Sequence, residues 1–303
     1  MSRTSRLVDE RIIREITPIF DTRALGYDSM LVAARVDSEN PQRAAKIINS
    51  HPGVSHNYLR THSFNLWFTI ATPPDSELGV EGTLDVLQRL TGATSIRQLP
   101  TLTLFKINMN LEMEGGTEAL AAAAEAAPPR ELEAQPYDDR DIAVIRALQG
   151  PMAVCDRPYD EAAAEAGMTT ASLLEHLTGM QERKILRRVA AILYHRRAGF
   201  SANGMGVWRV PEDRIEEMGR RMAAVRGVSH CYQRPTYPDW PYSVFTMAHG
   251  RSKEECDAIL DHIAEDNGLH GDDRATLYSS TEYKKVRLHY FTPDYAEWEK
   301  KHA

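Results

Sequence analysis

The sequence predicts an α+β protein in which one βαββαβ unit occurs twice, with a winged helix-turn-helix before the second copy. An eight-residue phrase reveals the duplication: residues 53–60 are GVSHNYLR and residues 227–234 are GVSHCYQR, identical at six positions. The copies lie 174 residues apart. This distance indicates a repeated domain, because solenoid repeats recur roughly every 20–50 residues. The matching order of predicted strands and helices around each copy, and a purely helical segment between them, are the other two observations.

Length, composition and charge are those of an ordinary globular protein. A chain of 303 residues with 42% hydrophobic and 26% charged residues corresponds to two or three domains. The sequence has neither a run of about 18 apolar residues nor a signal-peptide pattern, and its three scattered cysteines fit neither a disulfide framework nor a metal motif. A cytoplasmic protein is therefore expected. The net charge of −7 argues mildly against nucleic-acid binding.

The first unit, residues 1–112, has the ferredoxin-like split βαβ order. Segments of alternating polarity predict strands, and segments with apolar residues every three or four positions predict helices. In chain order these are strand 29–36, helix 39–51, the first repeated phrase as a strand, strand 65–72, helix 76–91 and strand 99–111. Asn40 and Pro41 suit the start of the first helix. Residues 7–20 are predicted to form a short helix broken at Pro18, and residues 1–16 are at most a helix-turn-helix remnant.

The second unit follows an Ala- and Pro-rich linker at residues 113–136. Residues 137–188 predict a helix, a short helix, a Gly-containing turn and a longer helix capped by Thr169 or Thr170, which is the pattern of a winged helix-turn-helix. Residues 189–303 then repeat the βαββαβ order. Its elements are strand 204–210, helix 212–226, the second repeated phrase, strand 243–248, a helix near 252–265 and strand 283–291.

The alternation of the repeated phrase places a histidine, a tyrosine and an arginine on one face of each strand, because residues two apart point to the same side. These rows are His56, Tyr58 and Arg60 in the first copy and His230, Tyr232 and Arg234 in the second. Helices are expected to cover one face of each sheet. The other face is free to pair with a partner or to hold a ligand.

Further positions align between the two units. Gly26-Tyr27 is aligned with Gly199-Phe200, Phe68-Thr69 with Phe245-Thr246 after three extra residues in the second loop, and Phe105-Lys106 with Lys284-Lys285. The alignment of Gly26 with Gly199 puts Thr22 where the second unit has His195. The two units are therefore expected to be unequal, with one productive site centred on the second.

Two longer stretches carry a resemblance to known families. A winged helix-turn-helix followed by a βαββαβ unit resembles the Lrp/AsnC regulators. Residues 186–210 (LRRVAAILYHRRAGFSANGMGVWRV), with GVSHCYQR downstream, are similar to the siroheme decarboxylases, and the first half (PIFDTRALGYDSMLVAARV, then GVSHNYLR) resembles the other subunit type of that family. The resemblance covers about the whole chain.

That resemblance implies a function and an assembly. It implies removal of two acetate carboxylates from siroheme, giving 12,18-didecarboxysiroheme on a route to heme or heme d1, by a fusion of two related subunits that forms an intramolecular pseudo-dimer. A further homodimer is compatible with it. The only cofactor-like group expected is the iron tetrapyrrole substrate itself, because its macrocycle can delocalise the charge left by departing CO2. No protein-bound metal is expected.

The chemistry of siroheme predicts the residue types of the site. Its carboxylates call for cationic donors, and its flat ring calls for apolar walls. The candidate cationic and polar contacts are Arg60, Arg187, Arg188, Arg196, Arg209, Arg234, Lys284 and Lys285, together with His56, Tyr58 and Asn203. The candidate walls are Trp67, Met205, Trp208, Tyr232 and Trp240.

Protonation of the methylene left by CO2 requires a donor, and a histidine suits this step. We predict His195, His230 and Arg234 as catalytic residues. Either histidine is also a candidate ligand of the siroheme iron. The first copy, with His56 and Arg60, is expected to anchor substrate carboxylates or the interface between the units.

Plainer interpretations stay open at this point. His230 is equally compatible with a hydrogen-bonded interface histidine, and Trp208 and Met205 with a core strand. The predicted recognition helix begins TTASLLEH and offers no Arg, Lys, Asn or Gln to read bases, so we expect a packing module and no DNA binding. The alternatives to the enzyme are an Lrp/AsnC-type regulator that senses a tetrapyrrole or another small ligand, and a heme-binding protein without catalysis.

Overall fold

A computed structural model describes residues 3–107, 133–193 and 202–303 of the chain. Of the predicted linker, only residues 133–136 fall within these ranges. Two of the predicted site residues, His195 and Arg196, lie outside them.

The first half contains the predicted βαββαβ order after an additional helix and strand. Its elements are α1 (Arg3–Asp9), β1 (Ile13–Phe20), β2 (Asp28–Arg35), α2 (Pro41–Asn49), β3 (His56–Arg60), β4 (Leu66–Thr72), α3 (Gly79–Thr91), β5 (Ser95–Leu99) and β6 (Thr103–Ile107). The predicted start of α2 is confirmed, since the Asn40 side chain accepts a hydrogen bond from the Arg43 backbone N–H at 3.3 Å and Pro41 is the first helical residue. The predicted last strand is two strands, β5 and β6, because Pro100 lies between them.

The second half begins with the helix-turn-helix and repeats the same order. Its elements are α4 (Asp139–Leu148), α5 (Asp160–Glu165), α6 (Thr170–Glu182), β7 (Leu186–Leu193), β8 (Ala202–Trp208), α7 (Ile215–Ala224), β9 (Val228–Gln233), β10 (Val244–Gly250), α8 (Lys253–Asn267), β11 (Arg274–Lys285) and α9 (Asp294–His302). Thr169 caps α6 by accepting from the Ser172 backbone N–H. The turn before α6 contains Gly167 at a φ of +67°, a backbone conformation that glycine adopts without strain.

The two βαββαβ units form one nine-stranded sheet with the strand order β5-β2-β4-β3-β11-β8-β10-β9-β6. The last strand of each unit serves both halves: the first part of β11 pairs with β8 and its second part with β3. Likewise β5 pairs with β2, and β6 with β9. Because β5 and β6 are neighbours in the chain yet lie at opposite ends of the strand order, the sheet curves back on itself. The halves are related by an approximate two-fold axis.

This arrangement creates an inner sheet face and an outer one. Helices cover the outer face of each half, with separate apolar clusters beneath them. On the inner face the two halves meet in one buried cluster that contains Trp67 and Leu99 from the first half and Met205, Phe245 and Leu277 from the second. The inner cluster is therefore the interface of the internal pseudo-dimer.

The N-terminal prediction was wrong, because residues 13–20 form strand β1 and not part of a helix. β1 pairs antiparallel with β7, with Thr17 opposite Ala190 near the centre of the register. Each strand is thus the other's counterpart across the two-fold axis. Pro18 is tolerated because the ribbon has only two strands, so one edge of each strand needs no ladder hydrogen bond.

The C-terminal prediction was also wrong. The last strand of the sheet is Arg274–Lys285, not 283–291, and a helix that the sequence did not predict, α9, follows it. Trp298 of α9 is buried in the helix-side cluster of the first half, and its Nε1 donates to the Ser50 hydroxyl at 3.1 Å. The end of the second half therefore packs back onto the first half.

The strand register corrects two alignments between the repeats. Tyr58 lies opposite Trp67, and Tyr232 lies opposite Phe245. The counterpart of Phe245 is therefore Trp67 and not Phe68, whose side chain faces the helices. In the same way Lys106 lies opposite Cys231 and Lys284 opposite Asn57, which makes Lys284, and not Lys285, the counterpart of Lys106.

Candidate functional site

The two repeated phrases form matching rows on the inner face, as their alternation predicts. The Nδ1 atom of His56 lies 2.9 Å from the Ser55 hydroxyl, and that of His230 lies 2.6 Å from the Ser229 hydroxyl. Each imidazole is stacked along the strand against the tyrosine two residues later, with ring centroids 6.2 Å apart in the first half and 5.9 Å apart in the second. The residues between them point outward to the helices. The rows are therefore near copies in local geometry.

The two arginines of the rows link the halves. Arg60 donates from Nη1 to the Leu277 carbonyl at 3.2 Å, and Arg234 donates from Nη1 to the Leu99 carbonyl. Leu99 and Leu277 are counterparts in the last strands, so each arginine holds the other half. Burial lowers the pKa of both guanidinium groups to about 10, although both remain charged at neutral pH. Arg234 thus occupies an interface position.

The arginines also contact aromatic rings. The Arg60 guanidinium lies 5.9 Å from the ring centres of both Tyr58 and Trp67. The Arg234 guanidinium lies 4.9 Å from the Tyr232 ring and 5.5 Å from that of Phe245. These cation–π contacts compensate part of the cost of burying a positive charge.

The His230 end of the inner face carries a second histidine. Ile107 and Met247 are the register partners of His230, and His249 lies two residues beyond Met247 on the same face of β10, opposite Asn203. Burial, followed by the positive charge of His249, lowers the pKa of His230 to about 4. A pair of imidazoles is therefore present at this end.

Sequence reasoning assigned no role to His249. The counterpart of Met247 is Thr69, so that of His249 is Ala71, which has no polar side chain. The signal in the sequence was a histidine that is present in only one repeat, one residue beyond the end of the predicted strand 243–248.

The His56 end has a different electrostatic character. Lys285 is the register partner of His56 in β11, where the second half has Ile107. Burial is the main cause that lowers the pKa of His56; the charges of Lys285 and Arg14 act in the same direction, and that of Glu282 opposes them. The first-half end is thus cationic, whereas the second-half end combines two histidines with apolar neighbours.

The remaining predicted contacts are dispersed. Lys284 lies on the helix side, where its Nζ donates to the Asn49 carbonyl at 2.9 Å at the end of α2. Arg187 is exposed on β7, with its Nε 3.9 Å from an Asp21 carboxylate oxygen. Arg188, Asn203 and Arg209 are exposed.

The predicted walls divide between the two faces of the sheet. Trp67, Met205 and Trp240 lie in the inner cluster, where the Trp240 ring meets that of Trp67 edge-on at 5.2 Å. Trp208 lies instead in the helix-side cluster, and its Nε1 donates to the Thr246 hydroxyl at 2.9 Å. Because it faces away from the histidine rows, Trp208 contributes to packing and not to a wall on that face.

The helix-turn-helix packs against the rest of the protein. Asp141 of α4 is buried; it accepts two hydrogen bonds from Arg183 and lies 2.8 Å from Nε2 of His176 on α6. The apolar core of the helix-turn-helix is continuous with Phe20 and Leu25 of the first half and with Tyr290 after β11. His176 on the predicted recognition helix and Arg183 at its end are therefore bound to Asp141 within the protein.

The part of the chain that the structure describes contains neither a cluster of metal ligands nor a helix that could span a membrane. Within ranges 3–107, 133–193 and 202–303, no group of three or more His, Cys, Asp or Glu side chains is placed to hold a metal ion. None of the helices in these ranges combines the length and apolar character needed to cross a bilayer.

Comparison with known proteins covers nearly the whole chain. The family described as an AsnC-like ligand binding domain matches residues 24–106 and 197–284, and the siroheme decarboxylase NirDL-like HTH domain matches residues 141–187. Siroheme decarboxylase of Hydrogenobacter thermophilus is 41% identical over 97% of this chain and 85% of its own. The siroheme decarboxylase beta subunit of Methanosarcina barkeri is 37% identical over 50% of this chain and 99% of its own.

A solved structure agrees with these relatives. The siroheme decarboxylase NirDL, crystallised in co-complex with an iron-uroporphyrin III analogue, superposes with a TM-score of 0.76 at 35% identity, covering 98% of this chain and 86% of its own. A relative whose full length corresponds to half of this chain fits a fusion of two related subunits. The chain belongs to the siroheme decarboxylase family.

Proposed function

We propose that this protein is a siroheme decarboxylase, a carboxy-lyase that removes two acetate carboxyl groups from siroheme. The observation that carries the proposal is the pair His230 and His249 on the inner face of the second half. The names of the relatives, and the iron-uroporphyrin III analogue bound to one of them, support a tetrapyrrole as the ligand.

The reaction needs a proton at the carbon that loses CO2. When the bond between the methylene and the carboxylate breaks, CO2 leaves and the electron pair stays on the methylene carbon, delocalised into the macrocycle. A proton delivered to that carbon forms the methyl group. Imidazolium is a suitable donor, and His230 is our first candidate, with His195 as the second.

The low pKa of His230 sets a condition on this role. With a pKa of about 4 in the ligand-free protein, His230 is neutral at pH 7. A tetrapyrrole with several carboxylates brings negative charge beside the imidazole, which favours its protonated form. Substrate binding therefore raises the pKa of this histidine at the place where a proton is required. In its neutral form, His195 or His230 could instead ligate the iron of the substrate.

The two halves take different roles in this proposal. The cationic end around His56 and Lys285 binds substrate carboxylates, and the end around His230 performs the chemistry. Tyr58 and Tyr232 offer ring faces beside the histidines. Arg60 and Arg234 hold the halves together, so we assign Arg234 a positioning role and not a place among the reacting groups.

Anaerobic incubation of the purified protein with siroheme, followed by mass spectrometry of the tetrapyrrole, tests the proposal. Products lighter by one and then two CO2 are expected. Unaltered siroheme after prolonged incubation would refute the enzyme. A gel-shift assay at low salt, where nonspecific DNA binding is strongest, is expected to give no complex.

A further inference from the structure

A cavity of about 390 Å³ lies beside the His56 end, where three parts of the chain meet. Strand β1 contributes Arg14 and Glu15, the helix-turn-helix contributes Gln149, and the segment after β11 contributes Arg287 and His289. Val286, also in the wall, donates its backbone N–H to the Ser55 carbonyl at 2.8 Å, which fixes the cavity next to the histidine row. Its volume is near the lower end of the range for small-molecule sites, roughly 300–1,000 Å³.

Arg287 is one of the two arginines that line this cavity. Its half-buried guanidinium donates to the Thr17 hydroxyl and to the Pro18 carbonyl, both neutral acceptors, and burial lowers its pKa. Among the residues that the structure describes, it forms no ion pair within 4.0 Å. A partly desolvated cation held by neutral groups is stabilised when an anion binds next to it.

Arg14 supplies a second guanidinium to the same space. Its Nε lies 3.8 Å from a Glu15 carboxylate oxygen, and its side chain is 33% exposed. Glu15 and the exposed Asp294 are the acidic groups of the wall, while Lys285 adds a positive charge nearby. Two guanidinium groups and two carboxylates therefore line the cavity, and the ion pair between Arg14 and Glu15 is a weak one.

The second half does not reproduce this arrangement at Arg187, the counterpart of Arg14 across the β1–β7 ribbon. Arg187 is 61% exposed and is paired with Asp21 at 3.9 Å. The feature thus belongs to the first half.

We propose that this cavity is a carboxylate-binding site in which Arg14 and Arg287 are the donors. Guanidinium matches carboxylate geometry with two parallel hydrogen bonds. The carboxylate can belong to a side arm of the tetrapyrrole, in which case the inference rests on the proposed function, or to a separate small organic acid. Both sources share the same recognition chemistry.

Titrations of the full-length protein distinguish the sources. Iron uroporphyrin III is followed by its absorbance, and citrate by calorimetry. Arg14→Gln and Arg287→Gln are expected to weaken the affinity for one of these ligands by about tenfold or more, the effect of losing a charge-assisted hydrogen bond. Arg220→Gln removes an exposed arginine that pairs with Glu216 on its own helix, and it serves as the matched control.

Each result has a defined meaning. Weakened binding of iron uroporphyrin III assigns the site to the tetrapyrrole, and weakened binding of citrate alone assigns it to a separate acid. Unchanged affinity of both variants for both ligands overturns the site. Arg287 also contacts β1, so Arg287→Gln can disturb the fold. The melting temperature of this variant and the milder variant Arg287→Lys check for that effect. If Arg287→Gln does not fold, the result for Arg14→Gln alone tests the site. Turnover of siroheme by the wild-type protein is measured separately, so an absence of turnover with intact binding of iron uroporphyrin III speaks against the enzyme and not against this site.

Discussion

Arg60 of the first half donates a hydrogen bond of 3.2 Å to the carbonyl oxygen of Leu277 in the last strand of the second half. The mirrored contact joins Arg234 to the carbonyl of Leu99. The repeated phrase therefore has a structural function that its histidines do not share: it closes the pseudo-dimer from both sides. This explains why the arginine is present in both copies even though only one end carries the histidine pair.

Arg60→Gln and Arg234→Gln are each expected to lower the free energy of unfolding by about 2 kcal/mol, because each removes a charge-assisted hydrogen bond and a cation–π contact at the interface. Chemical denaturation followed by circular dichroism measures the loss. Arg43→Gln, at an exposed position on α2, is the control. If the interface variants and the control unfold at the same denaturant concentration, the arginines do not join the halves.

The sequence was sufficient to predict the two βαββαβ units and the common face of each His-Tyr-Arg row, because both follow from local periodicity. A strand that alternates must place His56, Tyr58 and Arg60 on one face, and the helix-turn-helix follows from helical spacing and caps. What periodicity cannot give is the pairing between distant strands. A shift of one residue moves a side chain to the opposite face, and this is why Phe68 was matched wrongly to Phe245.

The same limit explains the missed elements. β1 gains its strand conformation from pairing with β7, more than 160 residues later in the chain, and α9 gains stability from burying Trp298 on the first half. Neither partner is visible from the local sequence. His249 became a candidate only when the register of β10 placed it on the face of His230.

Replacing His249 by Gln is expected to raise the pKa of His230, because it removes a positive neighbour whose charge opposes protonation. Nuclear magnetic resonance titration of the His230 imidazole measures this shift directly. The exposed His270, replaced by Gln, is the control. An unchanged titration of His230 in the His249 variant would show that the two rings do not interact.

Replacement of His230 itself tests its role in catalysis. His230→Ala is expected to reduce the rate of CO2 release by about a hundredfold or more, the usual contribution of a positioned proton donor, while iron uroporphyrin III still binds. Single-turnover measurement with siroheme gives the rate. A variant that keeps the wild-type rate removes His230 from the chemistry, and leaves His195 as the remaining candidate.

Stability is expected to fall on acidification because of His51. This imidazole is buried and edge-on to Trp298 at 4.6 Å; burial first, and then the charges of Lys284 and His302, lower its pKa from 6.5 to about 3. Between these two values the unfolded chain binds a proton that the folded chain does not, so His51 favours the folded state fully above pH 6.5 and less as the pH falls towards 3.

Over the whole interval the contribution amounts to about 5 kcal/mol at most. Urea unfolding between pH 7 and pH 4 measures it, and His51→Gln is expected to give a shallower decline of stability with falling pH. The slope, and not the absolute stability, is the criterion, because the substitution also removes ring contacts. An equal slope in the variant and the wild type would exclude His51 as the cause.

Asp141 is expected to decide whether the helix-turn-helix stays packed. Burial raises the pKa of this carboxyl group, but hydrogen bonds and charge from Arg183, with a backbone hydrogen bond at Asp138 and a contact with His176, outweigh it, so that the pKa is lowered. Asp141→Ala leaves Arg183 and His176 without their shared acceptor. We expect a loss of about 3 kcal/mol, typical of removing one partner of a buried charged network.

Hydrogen exchange of α4 and α6 gives the local measurement. Because the core of the module is continuous with that of the first half, faster exchange in these helices should be accompanied by faster exchange around Phe20 and Leu25. Arg140→Gln, which removes only an exposed contact with the Ser172 hydroxyl, is the matched control. Faster exchange confined to α4 and α6 would mean that the module is an independent domain, and the argument that it serves as a packing element of the enzyme would fail.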